Sequence, residues 1–132
     1  MTTRRNRRVQ PRPRVYEPEL RAHDTNTATV REPLVIPSKG KRLRILRVRA
    51  IQEVADGRRL YEVYFGGGET IASDPAKAVD TLDIPELGED STRIFPRDEG
   101  PRGLRDEPLS GRWGSTPPVT SHKIIVEYTE ES

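Results

Sequence analysis

Gly40-Lys41-Arg42-Leu43-Arg44-Ile45-Leu46-Arg47-Val48-Arg49-Ala50-Ile51-Gln52 is followed closely by Leu60-Tyr61-Glu62-Val63-Tyr64-Phe65, and together they are the densest apolar material in the chain. Both runs read as β-strands. In the first, apolar residues interleave with Arg44, Arg47, Arg49 and Gln52. In the second, Tyr61, Val63 and Phe65 alternate with Leu60, Glu62 and Tyr64. Asp56-Gly57 lies between them, and this dipeptide suits a tight hairpin turn because both central residues of a type I′ turn need positive φ. The pair is therefore expected to be a hairpin.

The first strand contains a phase slip. Leu43 and Ile45 share one parity, while Leu46, Val48 and Ala50 share the other, and a regular strand cannot place both sets on one face. A β-bulge near Ile45–Leu46 reconciles them. The same bulge would bring Arg42, Arg44, Arg47 and Arg49 to one side. That row reads as a basic stripe or as an outward polar face balanced by acids such as Glu62 and Glu127; the second is the expectation.

The chain has 132 residues, room for one modest domain. Hydrophobic residues make up 32%, well below the about 45–50% of a usual globular domain even allowing for that figure's inclusion of Gly. With 33% charged residues and 12 prolines, part of the chain is expected to bury no core of its own. There is no cysteine, which excludes disulfides, thiolate metal sites and thiol catalysis. No apolar run reaches the roughly 18 residues of a membrane span, and the first residues lack the apolar segment of a signal peptide. No membrane association is expected.

Net charge is +2, unevenly spread. Arg4, Arg5, Arg7, Arg8, Arg12 and Arg14 give residues 1–14 a charge of +6 with no acid, leaving 2 − 6 = −4 for residues 15–132. A basic stretch before a mildly acidic body implies a partner for the stretch. Pro11, Pro13, Pro18 and Pro33 exclude a continuous helix. Residues 1–36 are thus expected to form an extended arm, disordered alone, and residues 37–132 the folded domain. The arm's candidate partner-binding residues are its six arginines with Tyr16, Leu20, Val30 and Leu34, spaced singly like the anchors of a strand laid on another surface.

After Phe65, Gly66-Gly67-Gly68 lacks the Gly-Lys-Ser/Thr ending of a phosphate loop and reads as a flexible corner. Ala78 to Ile84 alternates weakly; no stretch shows convincing helical periodicity, the best helix candidate being Ala72 to Leu82 with Pro75 at an N1-like position after Asp74. Arg93-Ile94-Phe95 would make a short strand. Residues 96–118 are rich in Pro, Gly and charge and read as a long loop attached at Leu104, Leu109 and Trp113. Trp113, and Leu109 with it, is either a core plug or an interface anchor. His122 to Thr129 is the last strand, with Ile124, Val126 and Tyr128 on one face, followed by an acidic tail, Glu130-Glu131-Ser132. The expected core combines Ile124, Val126 and Tyr128 with Leu43, Ile45, Leu46, Val48, Tyr61, Val63, Phe65, Leu82, Ile84 and Phe95. His23 and His122 stand apart, without a third ligand or a nucleophile at useful spacing. No catalytic residue, metal or cofactor is expected.

The body, residues 39–131, resembles small β-sandwich, jelly-roll-like structural proteins of tailed-bacteriophage virions. The resemblance lies in the opening Gly40-Lys41-Arg42-Leu43-Arg44-Ile45-Leu46, the second strand Leu60 to Phe65, the Gly- and Ser-bearing segment Leu109 to Ser115, and the ending Val126-Glu127-Tyr128-Thr129-Glu130. It departs from that pattern at residues 96–108, which carry more charge and proline. The resemblance implies a non-enzymatic role in the virion, as a capsid decoration (cement) protein or a neck, tail or fibre component, often a symmetric oligomer.

The expectation is an all-β sandwich of six to eight strands with an extended N-terminal arm. A core this small is marginal alone, which favours a homo-oligomer, a trimer first. The arm would dock to other virion proteins, a major capsid, neck or tail protein. The alternative is a nucleic-acid-associated protein whose arginines contact phosphates.

Overall fold

The computed structural model describes residues 16–25, 31–52, 57–67, 75–84, 90–96, 98–114 and 122–132. These contain eight strands: β1 (Glu19–Thr25), β2 (Glu32–Val35), β3 (Arg42–Gln52), β4 (Arg59–Phe65), β5 (Ala78–Ile84), β6 (Asp90–Ile94), β7 (Leu109–Trp113) and β8 (His122–Glu131). Among the described residues, a 3-10 turn, Pro75–Lys77, precedes β5. Pro75 thus opens one turn rather than a helix, and Leu82 and Ile84 alternate inward from a strand.

The strands form two four-stranded sheets in the orders β1-β8-β3-β6 and β2-β7-β4-β5. All the pairings are antiparallel. Successive nested pairs, β1 with β8, β2 with β7, β3 with β6 and β4 with β5, alternate between the sheets. This is a jelly roll, a long four-pair hairpin rolled into a sandwich. The expected all-β sandwich is therefore present, with eight strands.

The expected hairpin of β3 and β4 is absent. β3 pairs with β6 and β8, whereas β4 pairs with β5 and β7 in the other sheet. Each strand is rich enough in inward apolar residues to be central in its own sheet, so the two face each other across the core. Gly57 has φ +82° at the corner between them; Asp56 lies outside the described residues.

The bulge falls where the phase slip put it. On β8, Tyr128 opposes Ile45 and Glu127 opposes Arg47, leaving Leu46 as the extra residue. Leu43, Ile45, Val48 and Ala50 are consequently all buried. Leu46 leaves the expected core for the outer face, and Phe95 is only partly buried against the core. Leu34, Val35 and Ala50 join the core unannounced, and Leu109 and Trp113 take the core-plug role of the two roles open to them. Gly111 makes room for the Tyr61 ring: a Cβ there would lie 2.3 Å from the phenol oxygen.

Within the region expected as a loop over 96–118, the described residues form two parts. Residues 95–96 and 98–106 run along the first half of β3: Phe95 N donates to Leu46 O, Ile45 N to Pro101 O, Gly103 N to Leu43 O and Asp106 N to Lys41 O, at 2.8–2.9 Å. Gly100 permits this approach, since a Cβ there would meet Ile45 O at 1.8 Å. The second part is β7, whose Leu109 and Trp113 are fully buried. Leu104 is 59% exposed and is no attachment point. The expected acidic tail is also structured, for Glu130 and Glu131 belong to β8 and Glu131 is buried.

The sheets do not begin at residue 37. β1 and β2 lie inside the stretch expected to be arm, each pairing within the chain. Pro33 is tolerated because β2 ends its sheet, where a missing N–H need not break a ladder.

Candidate functional site

The bulge at Leu46 decides the outer face of the first sheet. With that residue looped out, Arg42, Arg44, Arg47 and Arg49 all stand on one side of β3, opposite Glu131, Thr129, Glu127 and Ile125 of β8. Arg47 and Glu127 lie 3.9 Å apart. Arg44 Nε donates to Glu131 Oε2 at 2.6 Å and its Nη2 to Oε1 at 3.3 Å. Its Nη1 reaches the carbonyls of Asp98 and Gly100, each at 3.0 Å. Arg102 adds a contact to Glu131 at 3.3 Å. Burial alone would raise the Glu131 carboxyl; the hydrogen bonds and charges of Arg44 and Arg102 outweigh it and hold it below the usual carboxylate range. Arg44 and Arg47 are thus balanced by acids of β8. Glu62, expected to share in this, lies in the other sheet and faces Arg112 at 3.8 Å.

Beside the row, Pro18, Leu46, Ile94 and Phe95 line a shallow trough of about 360 Å³ with Arg47 and Glu127. Ile94 is 68% exposed and Leu20, on the opposite edge strand of the same sheet, 62%. The apolar residues on this face are there because β1 and β6 are its edges and the bulge turns Leu46 outward.

A polar clasp ties β1 and β2 together across the sandwich edge. Tyr61 Oη donates to Glu32 Oε1 at 2.6 Å, and His23 Nε2 lies 3.4 Å from the same oxygen. Trp113 Nε1 donates to Thr25 Oγ1 at 3.1 Å. Edge-to-face packing joins Trp113 to Tyr61 and to His122, with ring centroids 4.9 and 5.4 Å apart. Burial, and then the Glu32 carboxylate beside it, push the Tyr61 phenol far up, so it remains a donor. The geometry is that of a structural lock, with donors and acceptors already engaged.

The expected partner-binding residues are not brought together. Arg4, Arg5, Arg7, Arg8, Arg12, Arg14 and Val30 lie outside the described residues. Tyr16 sits beside the last residue, its hydroxyl 3.4 Å from Ser132 N. Leu20 is on the outer face, as an anchor would be, but Leu34 is in the core at 3% exposure, because β2 turns it between the sheets. Trp113 and Leu109 are core plugs in this chain. Sequence reasoning missed Thr25, Glu32 and Glu131, polar residues buried only through partners distant in sequence. Among the described residues, no three His, Asp or Glu side chains converge on a point where a metal ion would sit, and no helix is long and apolar enough to cross a membrane.

No family model and no curated protein matches the chain. Among solved structures it is similar to a chain of the disulfide-linked pili that form Bacillus endospore appendages, with 11% identity, TM-score 0.48 and 88% of each chain covered. It is also similar to a chain of the virus-like particle of the extra small virus of the giant freshwater prawn Macrobrachium rosenbergii, with 10% identity, TM-score 0.42, and 94% of this chain and 85% of that one covered. The protein has no cysteine, so a disulfide linkage is closed to it. The jelly-roll assignment rests on the strand order and pairing.

Proposed function

We propose that this chain is a non-enzymatic structural subunit of a virion, a capsid decoration protein or another head or tail component, that forms a closed homo-oligomer and docks to neighbouring virion proteins through its first 15 residues. The observation that carries this is the junction at Tyr16. An acid-free segment with six arginines leads directly into β1, a strand at the open end of its sheet. The docking segment is shorter than residues 1–36, because β1 and β2 belong to the sandwich. Its arginines are suited to acidic patches, where guanidinium–carboxylate contacts are strong and directional. Jelly rolls are used in shells and in other proteins alike, so the fold permits this role without implying it.

A second reading is favoured by the four arginines on one face of β3, in the sheet that β1 edges: nucleic acid held by the row and the arm together. Glu127 and Glu131 oppose it by occupying Arg47 and Arg44. The deciding experiment combines light-scattering mass of the full chain and of a form lacking residues 1–15 with filter binding to single- and double-stranded DNA over a salt series. A closed oligomer that survives truncation, with weak and salt-insensitive DNA binding, is the expected result. A chain that remains monomeric at every concentration reached overturns the structural reading. Tight binding with a steep salt slope would install the nucleic-acid reading instead.

A further inference from the structure

Four strands end the two sheets, and they are not equivalent. β2 has four residues and contains Pro33. β5 has a register shift near its Ala78 end. β6 has five residues. β1 alone offers seven residues in unbroken register with β8, with no proline or lysine within it and no second partner strand among the described residues. Long regular edges of this kind are templates for another strand, and proteins usually blunt them.

Here the side chains select the partner. A two-fold antiparallel pairing that keeps both copies the same way up must be centred on one residue, which then meets itself. Centred on Glu19 or Arg21, it sets like charges directly together. Centred on Ala22, it puts Arg21 opposite His23 and Leu20 opposite Asp24. Centred on Leu20, it puts Glu19 opposite Arg21, Pro18 opposite Ala22 and Glu17 opposite His23, each twice. It also brings Leu20, 62% exposed in the single chain, onto Leu20 of the second copy. Within their own chain Glu19 and Arg21 also contact Tyr128, and His23 lies against Glu32. Opposite charges and apolar pairs directly across an antiparallel ladder stabilise it, and like charges weaken it.

We propose that the β1 edge pairs with the β1 edge of a second copy about a two-fold axis at Leu20, joining two sandwiches through one continuous eight-stranded sheet. The interface is isologous and self-complementary, as a two-fold contact must be. It continues the arginine face and the Pro18–Ile94 trough of one copy into those of the next. It stands apart from the arm's docking role and from any virion, since it is built from residues 17–24 alone.

The test uses single cysteines in the full chain, which has none of its own. Residues directly opposed across the pair have Cβ atoms about 4.5–5.5 Å apart, close to disulfide reach. Leu20→Cys should give a covalent dimer on mild oxidation. Ala22→Cys should not, because its two copies would sit about 13 Å apart along the strands. A second measurement needs no cross-link: Glu19→Arg should weaken the dimer about tenfold or more through two Arg–Arg contacts, a loss of about 1.4 kcal/mol, and Glu19→Arg/Arg21→Glu should restore it. A dimer cross-linked through Ala22→Cys and not Leu20→Cys overturns the register. Absence of cross-linking in both, or a charge reversal without effect on dimer mass, overturns the interface.

Discussion

β1 and β2 run side by side at one edge of the sandwich, one in each sheet, and they are held by opposite means. β2 has four residues and buries three of them, Leu34 and Val35 at 3% and 1% exposure and Glu32 at 9%. β1 has seven and buries only Thr25. β2 is therefore a core strand despite its proline and its length. β1 is a backbone strand: seven ladder partners on β8, a hydroxyl accepting from Trp113, and an imidazole against Glu32. A strand held by its backbone and a few polar contacts leaves outward side chains such as Leu20 and Ala22 exposed, whereas one held by its side chains does not.

The sharpest way to break this comparison is deletion. Removal of residues 1–36 takes both strands and two core residues, and should abolish the cooperative thermal transition seen by circular dichroism. Removal of residues 1–15 should leave it in place. A truncated 37–132 fragment that still melts cooperatively would mean that β2 contributes nothing essential.

Leu34→Ala should cost about 2–4 kcal/mol in denaturant unfolding, the usual range for a buried leucine whose cavity does not collapse. Arg44→Ala should cost about 2–3 kcal/mol, by leaving the buried Glu131 with only Arg102 and the Thr129 hydroxyl and releasing the carbonyls of Asp98 and Gly100. The same site gives a pH dependence. The Glu131 carboxyl is held below its ordinary range when folded, so the unfolded chain takes up its proton first on acidification. Its contribution is complete at neutral pH and is lost as pH falls through the lowered folded value. A titration of stability should therefore lose part of its acid slope in Arg44→Ala, and an unchanged slope would locate the acid sensitivity elsewhere.

The smallest effects belong to β1. Thr25→Val leaves the buried Trp113 indole without its acceptor and should cost about 1–2 kcal/mol. Leu20→Ala should stay within about 0.5 kcal/mol for the single chain, as for an exposed side chain. A Leu20→Ala loss as large as that of Leu34→Ala, measured in dilute monomer, would erase the distinction between the two strands.

The bulge at Leu46, the alternation of β4, β5 and β8, and the gathering of four arginines on one face were all legible in the sequence. Each depends on side-chain parity within one strand, and parity is a local property. β1 and β2 were not legible, for different reasons. Glu19-Leu20-Arg21-Ala22-His23-Asp24-Thr25 carries its leucine outward and polar residues inward, the reverse of the usual strand pattern. Glu32-Pro33-Leu34-Val35 is too short to show a period, and its proline argues against a strand until its place at the sheet edge is known. The buried Glu32 and Glu131 look like solvated acids until Tyr61 and Arg44 meet them from 29 and 87 residues away.

By itself, then, the sequence determined an all-β chain without thiol chemistry, a basic N-terminal segment, and which face of each apolar strand is buried. The tertiary structure alone decided which strands are neighbours. β3 and β4, consecutive and joined by a turn-forming dipeptide, are parted into different sheets, while β1 and β8, from opposite ends of the chain, are paired. The physical reason is that alternation orients a strand relative to a core but carries no information about its lateral partner, which is chosen by the packing of both sheets at once.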